Sequence, residues 1–313
     1  MNTGITKHHP VRKSALSGQQ PASGGAHRFA VTPGTLYLCP TPLGNLGDIT
    51  LRTIEVLEQV DLVAAEDTRR TLKLLNHLNI KKSLVSYHAH NRKEKEAPLL
   101  NLLRKGKTLA LVSDAGMPGI SDPGTDLVTA CLREGMAFEV LPGPSAGLLA
   151  LAASGLPTER FVFEGFLPRD KKSRRERLES LQQEERTLIF YEAPHRIKAT
   201  LKALEEALGA RQAALGRELT KRHETWYRHT LGGIHALLDQ AEGEPKGEMV
   251  LVVAGLDTAA RQEAAEAAFE DLSVAEHVSR MMAGGLDKKA AMKEVARLRR
   301  IPKREVYNQT LDL

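Results

Sequence analysis

Short apolar runs alternate with helix-length amphipathic stretches from residue 35 to residue 153, and most of the runs end in loops crowded with glycine, proline and carboxylates. That alternation predicts crossover units and therefore a mainly parallel sheet covered by helices. Strands are expected over 36–39, 62–65, 84–87, 108–113 and 138–141, with helices over 51–59, 68–78, 95–104, 123–134 and 145–153. The turn-rich stretch Ser154-Gly155-Leu156-Pro157-Thr158 reads as a domain boundary. A second α/β set follows, with strands over 161–164, 187–191, 213–217 and 248–254 and helices over 172–181, 194–208 and 234–240. Past Leu256 an Ala-rich, acidic stretch reads as a linker. Three short helices, over 274–282, 288–299 and 303–311, then resemble a small helix-turn-helix unit around Ile301-Pro302. The expected architecture is α/β, with domains over 34–156 and 157–257 and a linker with a helical domain over 258–313. Residues 1–33, rich in Gly, Ser, Pro and Gln, read as a disordered tail.

The net charge of +5 is unevenly spread: Lys7, Arg12, Lys13 and Arg28 lie in the first 33 residues, which hold no acid. The two cysteines, Cys39 and Cys131, sit inside apolar runs and read as buried small hydrophobes. No zinc-ligand spacing is present, so no metal site is expected, and a reducing, cytoplasmic location fits. No apolar run is long enough to span a membrane, and the tail lacks the apolar core of a signal peptide.

The strand-end loops carry the chemistry. In an open α/β sheet, ligands bind at the carboxyl ends of the strands. Residues 113–124, Ser-Asp-Ala-Gly-Met-Pro-Gly-Ile-Ser-Asp-Pro-Gly, hold more special residues than a plain turn needs. Residues 39–50 form a second such loop, without the lysine ending of a phosphate loop or the glycine spacing of a dinucleotide fingerprint. Ala65-Glu66-Asp67-Thr68-Arg69-Arg70 reads either as acids at a helix N-terminus or as a substrate-facing cluster. Pro142-Gly143-Pro144-Ser145 brings free backbone N–H groups to the same edge. Tyr191, Glu192, His195 and Arg196 cluster in the second half, and residues 217–224 read as a charged turn or a further wall of a site.

Together these motifs resemble the ribosomal RNA small subunit methyltransferase I family, part of the tetrapyrrole-methylase-like group. The ordered set is Pro40-Thr41-Pro42-Leu43-Gly44-Asn45-Leu46, Ala65-Glu66-Asp67-Thr68-Arg69, Ser113-Asp114-Ala115-Gly116 with Ser121-Asp122-Pro123-Gly124, Pro142-Gly143-Pro144-Ser145, Gly165-Phe166-Leu167-Pro168, Phe190-Tyr191-Glu192 with Pro194-His195-Arg196, and Glu218-Leu219-Thr220-Lys221. The resemblance implies two α/β domains of the tetrapyrrole-methylase type with S-adenosyl-L-methionine held in the cleft between them. It implies 2′-O-methylation of a cytidine ribose in the decoding region of 16S ribosomal RNA, with that RNA or the small ribosomal subunit as partner, and a homodimer. Carried over by position, the donor site comprises Leu43, Asp114, Ala115, Gly116, Met117, Ile120, Ser145, Ala146, Tyr191, Leu215 and Met249. Met117 stands where the family usually has Thr, and Ala193 replaces a frequent Ser.

Methyl transfer from a sulfonium is an in-line displacement whose leaving group is built in, so no metal is required in principle. A ribose hydroxyl is a poor nucleophile until its proton is taken or polarised. Glu66, Asp67, Asp122, His195, Glu218 and Glu224 are candidates; Asp67 and Glu218 are favoured for their polar strand-end loops, with His195 as a third. Arg69, Arg196 and Lys221 are candidate phosphate contacts. Two basic runs, including Arg174 and Arg175 in the second domain and Lys288, Lys289, Arg299 and Arg300 near the C-terminus, read as RNA surfaces or as solvated faces. A tetrapyrrole or other small-molecule methylase and a non-catalytic ribosome-assembly RNA-binding protein remain alternative readings.

Overall fold

The computed structural model describes residues 29–122, 124–241, 243–257 and 272–311. Five short strands, β1 (Leu36–Leu38), β2 (Leu62–Ala65), β3 (Ser83–Ser86), β4 (Leu109–Val112) and β5 (Phe138–Val140), form one sheet in the order β3-β2-β4-β1-β5. Every pairing in it is parallel. The crossovers are α1 (Leu51–Gln59), α2 (Thr68–His77), α3 (Arg92–Arg104) and α4 (Thr125–Glu134). Local chemistry explains their starts: the Thr50 side chain accepts from Thr53 N–H, and the Asp67 carboxylate accepts from Arg69 N–H. The central strands are apolar on both faces, and two buried clusters flank them, one around Leu109, Leu111 and Leu127, the other around Tyr37, Val63 and Leu141. Both cysteines are free and buried as expected, and burial pushes the Cys131 thiol up to about 11.

The helix α5 (Ala146–Ser154) precedes the turn-rich stretch at 154–158, yet its Ala150 and Leu151 pack against Ile189, Leu219, Val250 and Val252. By packing, α5 therefore belongs to the second sheet, and the division falls ahead of it. That sheet comprises β6 (Phe161–Phe166), β7 (Thr187–Glu192), β8 (Gln212–Arg217), β9 (Thr225–Thr230) and β10 (Met249–Val253), in the order β6-β7-β10-β8-β9. Unlike the first, this sheet is mixed. Only β6–β7 is parallel; β10 runs antiparallel to β7 and β8, and β8–β9 is a hairpin. The strand β9 was not expected from sequence, because Thr-Trp-Tyr-Arg-His-Thr lacks a clean apolar alternation. The turn joining it to β8 is too short for a crossover helix, so antiparallel pairing is the remaining geometry. The helices α6 (Lys171–Ser180), α7 (Ile197–Leu208) and α8 (Leu231–Gln240) accompany this sheet. Leu188, Phe190, Leu215 and Leu251 lie in the cluster that buries Ile197, Leu201 and Ile234. Phe190 is fully buried there, and its truncation to Ala costs about 3–5 kcal/mol.

The trio α9 (Val274–Ala283), α10 (Lys288–Leu298) and α11 (Lys303–Asn308) shares a core of Val274, Val278, Ala291, Val295, Ala296 and Val306. The start of α9 is a capping box between Ser273 and Glu276. The expected linker falls largely on residues 258–271, outside the described residues. Of the tail expected to be disordered, residues 1–28 are likewise outside. Residues 29–33 are seated instead. Phe29 N–H donates to Glu55 at 2.8 Å, the ring packs edge-on against Tyr37, and the Arg52 guanidinium lies over it at 4.2 Å.

Candidate active site

The carboxyl ends of β1, β2, β4 and β5 meet those of β7 and β8 and the amino end of β10 around one cavity of about 390 Å³. Because β10 is antiparallel to β7 and β8, its first residue, Met249, pairs with Glu192 and Arg217 at their ends. That reversal brings Glu248 to the same edge.

Three loops of the first domain are tied together beneath the cavity. Thr41 and Gly116 exchange both backbone bonds, at 3.0 and 2.9 Å. Thr41 Oγ1 donates to Ser113 O at 3.1 Å and Ser113 Oγ to Gly116 O at 3.0 Å. Gly116 has φ +81°, and a Cβ there would lie 3.1 Å from Leu43 Cδ2 and 3.3 Å from Pro144 O. A side chain would fill the cradle that these loops leave open. Across the cleft, Asn45 N–H donates to Thr220 Oγ1 at 3.2 Å, and within the second domain Gly147 N–H of α5 donates to Tyr191 Oη at 3.1 Å. Ser121, Glu218 and Thr220 adopt the left-handed region, at φ 62°, 54° and 65°. Strained non-glycine backbone thus gathers on loops flanking the cavity.

The wall is of two kinds. Leu43, Ala115, Ala146, Leu219, Met249 and Val250 make it apolar, while Glu66, Asp114, Asp122, Glu192 and Glu248 bring carboxylates. Arg70 is the cation in the wall, 3.3 Å from Asp114. Glu192 is spoken for by Thr200 Oγ1 at 2.5 Å and by Arg196 at 3.4 Å. Asp114 accepts from Asp67 N–H at 3.0 Å. Glu66 keeps a buried Oε2 with no hydrogen-bond partner, and burial with the nearby Asp114 charge raises its pKa. Asp122 is pushed up to about 7 by burial, reinforced by the charges of Glu66, Asp114 and Glu248. An orphaned acceptor, surplus negative charge and an apolar wall fit a cationic ligand carrying hydroxyl or ammonium donors.

The sequence-derived donor residues divide. Leu43, Asp114, Ala115, Ile120, Ala146, Tyr191 and Met249 line the cavity. Gly116 and Met117 shape the loop without lining it, and Ser145 is the N-cap of α5 with no side-chain cap bond. Leu215 is fully buried in the core under α7 and α8. It pairs with Leu251, two residues further into the sheet than the cavity-lining Met249, and is not among the wall residues.

The favoured bases fare differently from expectation. The Asp67 carboxylate caps α2 and receives both Arg69 Nε, at 3.1 Å, and Arg69 Nη2, at 2.8 Å. Those bonds hold it well below the usual carboxylate range, which leaves it a poor base. Burial pushes the Glu218 carboxyl up, but the bonds from Lys221 and from Glu248 N–H outweigh it and leave it low. His195 is exposed and outside the wall. Glu224 is occupied by Thr220 N–H and Trp226 Nε1. The wall residues Leu219, Glu248, Val250 and Phe166 were not predicted individually. Phe166 lies two residues beyond the strand expected over 161–164, inside the motif Gly165-Phe166-Leu167-Pro168, and closes β6 in the structure.

Several expected phosphate contacts are structural. Arg196 bonds Leu167 O at 3.0 Å beside Glu192, and Lys221 bridges Glu218 at 2.9 Å and Glu248 at 3.2 Å. Arg299 holds His277 Nδ1 at 3.1 Å and the Leu272 carbonyl. Arg69 is paired with Asp67 and Arg175 with Glu179, at 3.3 Å, although both are largely exposed. Lys289 and Arg300 are exposed, while Arg174 and Lys288 are partly so. Among the described residues no His/Cys/Asp/Glu group is arranged to hold a metal ion, and no helix is long and apolar enough to cross a membrane.

Residues 35–235 match the family model of the tetrapyrrole (corrin/porphyrin) methylases, and the chain belongs to that family. The same fold recurs in cobalt precorrin-4 methyltransferase, with TM-score 0.54 and 19% identity over 70% of this chain and 94% of that one. It recurs in uroporphyrin-III C-methyltransferase from Thermus thermophilus complexed with S-adenosyl homocysteine, with TM-score 0.50 and 21% identity over 70% and 97%. Within the family the chain is a ribosomal RNA small subunit methyltransferase I homologue. The Halalkalibacterium halodurans protein of that name is 50% identical over 275 residues, 88% of this chain and 94% of its own. The Synechocystis protein is 47% identical over 281 residues, 90% and 98% respectively.

Proposed function

We propose that this chain transfers the methyl group of S-adenosyl-L-methionine to the 2′-hydroxyl of a cytidine in the decoding region of 16S ribosomal RNA. The relatives' name supports the RNA acceptor, and the fold by itself does not choose one. The observation that carries the oxygen acceptor is Asp122, a cavity carboxylate with a pKa of about 7. A hydroxyl must lose its proton to become a useful nucleophile, and a base is most effective with a pKa near the working pH. The donor supplies an activated methyl carbon with its own leaving group. As the oxygen–carbon bond forms and the sulfur–carbon bond breaks toward sulfur, Asp122 takes the hydroxyl proton. Glu66, Asp114 and Glu248 keep the cavity negative and so favour a cationic donor over its uncharged product. Leu43, Ala146, Met249 and Val250 exclude water, and positioning supplies much of the rate.

Arg174, Lys288, Lys289 and Arg300 are the proposed RNA contacts, acting on phosphates. The protein works in the cytoplasm as a homodimer; the open edge of β6, with exposed Phe161 and Phe163, supports the second copy. Sedimentation of the purified chain tests that assignment. The deciding experiment incubates the enzyme with labelled donor and 16S RNA, assembled small subunits or a tetrapyrrole, and maps the label. Label on a cytidine ribose in the decoding region supports the reading; label on a base or on the tetrapyrrole overturns it.

A further inference from the structure

Phe166 is the last residue of β6, and the residue is 54% exposed. It lines the donor cavity together with Asp122, and also lines an adjoining groove bounded by Pro168, Ser173 and Arg177. It therefore stands on the ridge between the two. Its placement is built. The β6–β7 register shifts between Phe163 and Gly165, and Gly165 takes φ +61°. Such a bulge re-aims the side chain that follows, and bulges cluster beside active sites. A Cβ on Gly165 would lie 3.2 Å from Ser121 Oγ, so the bulge abuts the loop that carries Asp122. The ring is also braced. Tyr191 meets it edge-to-face, with centroids 5.7 Å apart and planes at 67°, and Tyr191 is itself held by Phe163 at 5.0 Å and by Gly147 N–H. Ile120, 47% exposed, adds a second apolar surface to the same wall from the first domain. Arg169 and Lys171 follow within the next turn of chain.

A braced aromatic ring, open to solvent at the mouth of a methyl-transfer cavity, has the character of a base-stacking platform. A ribose in structured RNA reaches a recessed base only when its nucleotide is turned out of the stack, and enzymes hold such nucleotides on aromatic faces. Resting on the RNA reading above, we propose that Phe166, backed by Tyr191, stacks on the extruded target nucleobase and thereby holds its 2′-hydroxyl toward Asp122. Stacking accepts any base, because each has a π-face. Phe166 accordingly sets how well the acceptor is held, and leaves the choice of cytosine to hydrogen-bonding groups.

The test compares F166A, F166L and F166W with the parent on small subunits and labelled donor, with S-adenosyl homocysteine binding measured by calorimetry and folding checked by melting. Stacking predicts a kcat/KM for RNA lower by roughly tenfold to a hundredfold in F166A, carried by KM, with F166L equally low, F166W restored and any loss of S-adenosyl homocysteine affinity much smaller than the loss for RNA. F166L behaving like the parent would make the residue an apolar filler and overturn the proposal. A loss of S-adenosyl homocysteine affinity as large as the loss for RNA overturns it too, because Phe166 would then serve the donor and not the acceptor. A parent enzyme that labels neither 16S RNA nor small subunits removes the RNA reading itself.

Discussion

Gly44 and Lys221, from different domains, occupy one space: a Cβ on Gly44 would run into Lys221 Cγ. Gly44 does not need a left-handed backbone, so its smallness serves this close approach. The stem of Lys221 crosses Gly44 and delivers its ammonium to Glu218 and Glu248 at the cavity rim. Beside it, Asn45 N–H bonds Thr220 Oγ1. The two domains are latched at this point.

Gly44→Ala is expected to displace Lys221 and loosen the latch. Breaking these partly exposed pairs amounts to about 1 kcal/mol, read as a fall in Tm of about 2–4 °C. Donor affinity weakens with it. Lys221→Ala in the Gly44→Ala background should cost little more, because the two changes act on the same packing. Additive effects would show that Gly44 acts elsewhere.

Asp122→Asn is expected to lower transfer by about 10²–10⁴-fold while S-adenosyl homocysteine still binds. As the proposed base, Asp122 must be ionised, so kcat/KM should rise with pH up to about 7 and level off above it. A cationic donor in the same cavity stabilises the carboxylate, so the corresponding limb of kcat lies at lower pH. The stability sign is opposite. The folded pKa is raised above the unfolded value of about 3.9, so Asp122's contribution is present below that value and lost as pH rises toward 7. Asp122→Asn should flatten that part of the melting-temperature profile. An unchanged rate profile removes Asp122 as the base.

Asp67→Ala separates capping from catalysis. Asp67 is held low by the Arg69 side chain and then by Arg69 N–H, so the stability it adds is present above about pH 4 and fades in more acid solution. The variant is expected to melt earlier near neutral pH, to converge with the parent in acid, and to keep its turnover. Loss of turnover with intact folding would return Asp67 to the chemistry.

Lys288→Ala with Lys289→Ala tests the C-terminal trio as an RNA surface. For every phosphate that the variant no longer neutralises, the slope of log affinity against log salt should become shallower by about 0.7–0.9. Methylation of a saturating RNA substrate should stay near the parent rate. An unchanged slope makes these lysines a solvated face of α10.

Much of the first domain was legible because buried parallel strands write themselves as apolar runs bounded by Gly, Pro and caps. The expected 51–59 and 62–65 match α1 and β2 to the residue. The second domain was less so. The half-exposed β9 shows no alternation, and the antiparallel insertion of β10 between β7 and β8 is a long-range pairing with no local signature. The affiliation of α5 was hidden for the same reason, since AGLLALAAS says that the helix is buried but not against what.

The sequence by itself determined that strand-end loops carry the site, and the ordered motifs within them identified the family. Those motifs are local, and glycine, proline and carboxylate chemistry can be read without neighbours. Only the tertiary structure sets three of their carboxyl groups apart. Asp67, Glu218 and Asp122 look alike in the chain. The first is neutralised by Arg69, the second by Lys221, and the third is desolvated among Glu66, Asp114 and Glu248. A carboxylate's basicity depends on burial and on charges brought in from other loops, and the packing of two domains is what brings them there.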